Sequence, residues 1–88
     1  MKIVINAKFG GFSINNEIAK KYGFDKYEES RTNPKLIELI ESGVNCDGEC
    51  ALLVVEEIPD DATDYIIEDY DGVESIIYVK NGKIHHVR

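Results

Sequence analysis

Residues 65–88 read YIIEDYDGVESIIYVKNGKIHHVR, and two dipeptides in that run, Asp71-Gly72 and Asn81-Gly82, decide the fold. Each stands between residues that favour strands. A two-residue hairpin turn selects Asp-Gly or Asn-Gly because both central residues need positive φ. The expectation is three antiparallel strands, Tyr65–Tyr70, Val73–Lys80 and Lys83–Arg88. Two such turns also set the register: Tyr70 faces Val73, Ile67 faces Ile76, Tyr78 faces His85 and Val79 faces Ile84.

That register divides the meander into two faces, since successive side chains of a strand point to opposite sides. One carries Ile66, Tyr70, Val73, Ile77, Val79 and Ile84 and is assigned to the core under the helices. The other carries Tyr65, Ile67, Ile76, Tyr78 and Val87 beside Asp69 and Glu74, and is assigned outward. This outward face is too apolar for ordinary solvent surface if nothing covers it. A bulge in either hairpin would swap the two faces. The sequence leaves open whether the strand at Ala51–Val55 lies over it. Asp69 opposite Glu74 is a like-charge pair that either splays into water or draws a cation or basic partner.

Upstream, Ala51-Leu52-Leu53-Val54-Val55 is apolar on both parities, the pattern of a strand covered on both faces and central in its sheet. Consecutive β-branched residues make Lys2–Asn6 a buried strand. Asn15 caps a helix over Asn16–Tyr22 that Gly23 stops. A second helix has Asn33 as cap, Pro34 at its first position, Gly43 as stop, and an apolar stripe of Leu36, Ile37 and Ile40 widened by Leu39. Phe24–Arg31 reads as a polar connector. The fold class is α+β, one domain over residues 1–88. Its mixed or antiparallel sheet has about five strands with two helices on one face.

Charge is the most unusual bulk property. Seventeen Asp and Glu against ten Lys and Arg give a formal net charge of −7. Between Leu36 and Val79 there is no Lys or Arg, yet 13 of the 17 acidic residues lie there. Such a surface repels nucleic-acid phosphate and anionic lipid, so direct binding of either is disfavoured, whereas a basic protein surface or divalent cations are attracted; solubility alone accounts for a charge of this size equally well. No apolar run approaches the roughly 20 residues of a membrane span. The opening stretch Met1–Asn6 is too short for a signal-peptide core, which points to a cytoplasmic protein.

Motifs for chemistry are sparse. Cys46 and Cys50 could share a turn, but a structural zinc site wants four ligands, and His85 and His86 point to opposite faces of a strand. The Gly10-Gly11 loop with Lys8 invites an anion-cradle reading, although neither phosphate-loop glycine pattern is present; a tight turn explains it equally. Asp69–Glu74 lacks the ligand spacing of a calcium loop. No spaced acid–base or nucleophile constellation occurs, so neither catalytic residues, cofactor nor metal is expected.

Lys2-Ile3-Val4-Ile5-Asn6 followed by Phe9-Gly10-Gly11-Phe12, then Arg31-Thr32-Asn33-Pro34, Leu53–Asp60 and Tyr70–Glu74, resemble a family of small uncharacterised bacteriophage and prophage proteins. The resemblance covers most of the chain and departs at Asn81–Arg88. It implies a phage or prophage setting inside a bacterial host cell and carries no catalytic residue.

The functional expectation is a non-enzymatic, acidic protein-binding module that modulates or inhibits a host or phage protein with a basic surface. In its sharpest form the acidic surface imitates the phosphate spacing of DNA. Tyr65, Asp69, Glu74 and Tyr78 are the expected partner-binding residues. Two rivals stand beside it: a small-ligand or nucleotide-binding domain using Lys8, Gly10 and Gly11, and a structural protein that covers its second sheet face as a homodimer.

Overall fold

Both dipeptide turns form. In a computed structural model that describes residues Met1–Arg88, Asp71 and Gly72 have φ of 51° and 89°, and Asn81 and Gly82 have φ of 53° and 73°. They join three strands, β3 (Asp64–Tyr70), β4 (Val73–Lys80) and β5 (Lys83–Val87). Tyr70 pairs with Val73, Ile67 with Ile76, Tyr78 with His85 and Val79 with Ile84, without a bulge.

The other two strands, β1 (Lys2–Asn6) and β2 (Leu53–Glu57), do not join that sheet. They pair antiparallel with each other, Lys2 opposite Glu57 and Asn6 opposite Leu53. The chain is α+β with five strands, in a two-stranded ribbon and a three-stranded meander instead of one sheet. The ribbon is the middle layer. On one side Val4 and Leu53 pack with Leu36, Ile37 and Leu39 of the second helix. On the other side Ile3 and Ile5 pack with Ile76 of the meander. This explains the unbroken apolar runs, because both ribbon faces are covered. Strand β2 is thus covered on both faces as its pattern requires, yet it is not central, having a single strand neighbour.

The helices are α1 (Asn16–Tyr22) and α2 (Pro34–Glu41). Asn15 Oδ1 accepts the Ile18 N–H at 2.9 Å, and Gly23 closes α1 in the left-handed conformation at φ 71°. Asn33 Oδ1 accepts from the Lys35 and Leu36 amides, with Pro34 opening α2, where its missing N–H leaves no unmet bond. Leu36, Ile37 and Leu39 are the buried stripe, and Ile40 lies at its margin.

The meander faces are reversed relative to the sequence reading. Ile76 is fully buried with Ile3, Ile5 and Ile58, and Tyr65, Ile67, Tyr78 and Val87 pack around them under the ribbon. The set assigned to the core lies outside: Ile66, Tyr70 and Ile84 are 57%, 76% and 68% exposed. The helices cover the ribbon, not the meander. The register was right and no bulge intervened. Both faces are apolar, so the alternation alone does not choose between them, and a buried ion pair makes the choice.

That pair joins Glu74 to Arg31 of the connector. Arg31 Nη1 and Nη2 donate to Glu74 Oε1 and Oε2 at 2.6 and 2.8 Å, and the Asn6 amide donates to Oε1 at 2.7 Å. The Arg31 guanidinium stacks 3.7 Å above the Phe12 ring and also donates to the Val4 carbonyl. The Val4 amide in turn donates to the Arg31 carbonyl at 2.7 Å. At Val4 and Asn6 the open edge of β1 is therefore occupied by Arg31 and Glu74, which blocks a strand ladder there. Asn6, itself fully buried, completes the junction. Its Nδ2 donates to the Lys8 and Gly72 carbonyls, and its Oδ1 accepts the Leu52 amide at 2.8 Å.

Candidate functional site

All four residues expected to bind a partner are engaged by the fold. Glu74 is 5% exposed and held by Arg31 and Asn6, so it presents no charge to a partner. Tyr65 and Tyr78 are half-buried against the ribbon, and Tyr78 stacks on His85 with ring centroids 5.0 Å apart. Asp69 is exposed, but its Oδ1 accepts the Gly72 amide at 2.7 Å and braces the turn. The like-charge pair is resolved within the chain: Asp69 turns to the loop and Glu74 takes Arg31. Sequence reasoning missed Arg31. One signal pointed to it, because Asp69 opposite Glu74 asked for a cation and Arg31 is the one arginine before Arg88.

The glycine loop has a packing role. Gly10 takes φ 121°, and a Cβ there would lie 2.6 Å from Cys50 Cβ. A Cβ on Gly72 would lie 2.7 Å from the Gly10 nitrogen and collide with Gly11 as well. The Gly10 amide donates to the Asp71 carbonyl at 3.3 Å. Loop and hairpin turn thus meet backbone to backbone, which only glycine permits. The α1 N-terminus lies five residues beyond Gly11 and is closed by Asn15.

Other chemistry-bearing groups stay apart. Cys46 is buried and Cys50 exposed, both as free thiols, and burial, followed by the neighbouring Asp47 charge, pushes the Cys46 pKa up. His85 lies on the ribbon side and His86 is exposed on the opposite side. No three His, Cys, Asp or Glu side chains group where they could hold a metal ion. No helix is long and apolar enough to cross a membrane. The largest depression, about 630 Å³, is an open groove beside α2 whose charges are already matched, Lys2 Nζ lying 2.8 Å from Glu41 Oε2.

What remains is the outer face of the meander. Ile66, Ile77, Val79 and Ile84 line a shallow depression of about 140 Å³ with Asp64 and Tyr65 at its rim. Farther along the sheet Tyr70 and Val73 border a second depression with Phe9, which is 64% exposed. Isolated exposed apolar residues are ordinary; a contiguous group on one sheet face marks an interaction surface. Asp64 and Glu68 stand exposed along the β3 side of that face, and His86 along the β5 side. The one cationic side chain there is Arg88, which lines the depression with Tyr70 and Val73 and is already paired with Glu56, its Nε lying 2.8 Å from Glu56 Oε1.

No family model matches the chain, and neither a curated protein nor a solved structure matches it.

Proposed function

We propose that this chain is a non-enzymatic, acidic protein-binding module of phage or prophage origin. It acts inside the bacterial cell and docks the outer meander face onto a host or phage protein with a basic surface. One observation carries the reading: Ile66, Tyr70 and Ile84 stand more than half exposed on a three-stranded face that no element of the fold covers. Burying a large aliphatic side chain is worth roughly 1.5–3 kcal/mol, so a partner that covers this face gains a central apolar patch. The carboxylates of Asp64 and Glu68 favour a basic partner and speed encounter with it.

The partner-binding residues under this reading are Ile66, Tyr70, Ile77 and Ile84 with Asp64 and Glu68, on the opposite side of the sheet from Tyr65, Glu74 and Tyr78. The test is photo-crosslinking in bacterial cells from a benzoylphenylalanine placed at Tyr70, followed by reconstitution with the purified crosslinked protein. Ile66→Glu and Ile84→Glu should abolish the reconstituted complex while leaving the far-UV spectrum and melting temperature unchanged. A complex indifferent to both substitutions overturns the proposal.

A further inference from the structure

We infer that the occupant of the outer meander face is one amphipathic α-helix of the partner, basic along one flank only. The inference rests on the protein-binding reading above and adds the shape and charge of what is bound. The first argument is footprint. Neighbouring strands lie about 4.8 Å apart, so the outer strands of a three-stranded sheet are separated by roughly 10 Å, the width of a single helix with its side chains. Strands β3 and β4 have seven and eight residues. At about 3.3 Å per residue they extend roughly 25 Å, the length of a helix of about 16 residues. A partner strand would add at a sheet edge, through backbone bonds, and would leave Ile77 in the middle uncovered.

The second argument is charge. The face presents Asp64 and Glu68 on the β3 side and His86 on the β5 side, and its one cationic group, Arg88 beside Tyr70 and Val73, is paired with Glu56 at 2.8 Å. A second copy of this chain therefore offers Asp64 and Glu68 only an arginine already paired with Glu56, and two copies that each carry a net charge of −7 repel one another. The patch is also small. About 10 by 25 Å of sheet falls well short of the roughly 800 Å² per partner of a standard stable interface. A transient helix contact suits that size better than a permanent dimer. Leu-like residues at i, i+3, i+4 and i+7 would sit over Ile66, Ile77, Val79 and Ile84, with Lys or Arg on the flank above Asp64 and Glu68.

The test uses the full chain and two synthetic 16-residue helical peptides with the same leucine stripe. One carries Lys and Arg on a single flank and the other Glu in the same places. Methyl-labelled spectra should show the basic peptide moving Ile66, Ile77, Val79 and Ile84 while Ile3 and Ile5 stay still. The acidic peptide should bind at least about tenfold more weakly, and the Asp64→Lys, Glu68→Lys double variant should lose about as much for the basic peptide. Equal binding of both peptides, or shifts confined to other residues, overturns the inference. So does sedimentation as a dimer with these methyls shielded by the second copy. If neither peptide binds while Ile84→Glu still abolishes the reconstituted complex, the helix is wrong and the docking face stands. If Ile84→Glu leaves that complex intact, the docking face itself falls.

Discussion

Replacing Glu74 by Gln tests the ion pair that orients the meander. Glu74 is 5% exposed and Arg31 22%, and three charge-assisted hydrogen bonds converge on the carboxylate at 2.6, 2.7 and 2.8 Å. Gln retains one acceptor for the Asn6 amide and Arg31 Nη1, but it turns an NH₂ group toward Nη2 and leaves the guanidinium without its counter-charge. Removing one partner of a buried pair typically costs 3–5 kcal/mol. The partial exposure of Arg31, its stacking on Phe12 and its bond to the Val4 carbonyl place this case at the low end, about 3 kcal/mol. For 88 residues the whole stability is about 4–13 kcal/mol, so the change is a large part of it. Urea unfolding followed by far-UV circular dichroism should show a midpoint lowered by about 2–3 M, with an m-value near 1 kcal/mol/M. Arg31→Met should cost more, because it strands the more buried member. The double variant Arg31→Met, Glu74→Met should recover much of the loss yet stay about 1–2 kcal/mol below the parent, since the Asn6 amide is then unpaired. A Glu74→Gln midpoint equivalent to a change below about 0.5 kcal/mol, the ordinary surface value, refutes the reasoning.

Gly72→Ala and Gly82→Ala impose the same left-handed strain at φ 89° and 73°, but only Gly72 faces another backbone. Gly82→Ala should lose about 1 kcal/mol, roughly 4–8 °C in Tm, and Gly72→Ala clearly more; equal losses remove the loop–turn junction. Under native conditions a thiol reagent should label the exposed Cys50 rapidly and Cys46 only as fast as the fold opens. The raised Cys46 pKa leaves stability intact below the ordinary thiol range and erodes it at higher pH, so Cys46→Ala should flatten the alkaline limb of a stability profile. Glu29 accepts Asn33 Nδ2 at 3.0 Å, chiefly for which its carboxyl is held below the usual range. Its contribution is present above the unfolded-state pKa and is lost as pH falls through the lower folded one. The difference between the parent and Glu29→Gln in chemical unfolding should therefore exist at neutral pH and vanish in strong acid.

The grouping of the outer-face side chains was legible along the chain, but their exposure was not, since the sequence reading assigned them to the core. The register assembled Ile66, Ile77, Val79 and Ile84 on one face and Tyr65, Ile76 and Tyr78 on the other, as the structure has them. It also raised the question of what covers the second face, and the β1–β2 ribbon is the answer. The glycines at 10 and 11 were visible as unusual, but their packing against Gly72 and Cys50 lay beyond any local pattern. Caps and stops at Asn15, Gly23, Asn33 and Pro34 were readable because each acts on amides or dihedrals within a few residues.

The sequence by itself determined turns, helix ends, strand pairing within the meander and the alternation of its side chains, all settled by neighbours in the chain. Only the tertiary structure decided which alternation turns inward. Both sets are apolar, so their burial energies are close. The difference comes from a guanidinium 43 residues upstream that neutralises Glu74 and from isoleucines in β1 that close over Ile76. A contact between distant residues leaves no trace in local periodicity, yet it places a row of isoleucines in solvent and two carboxylates beside them.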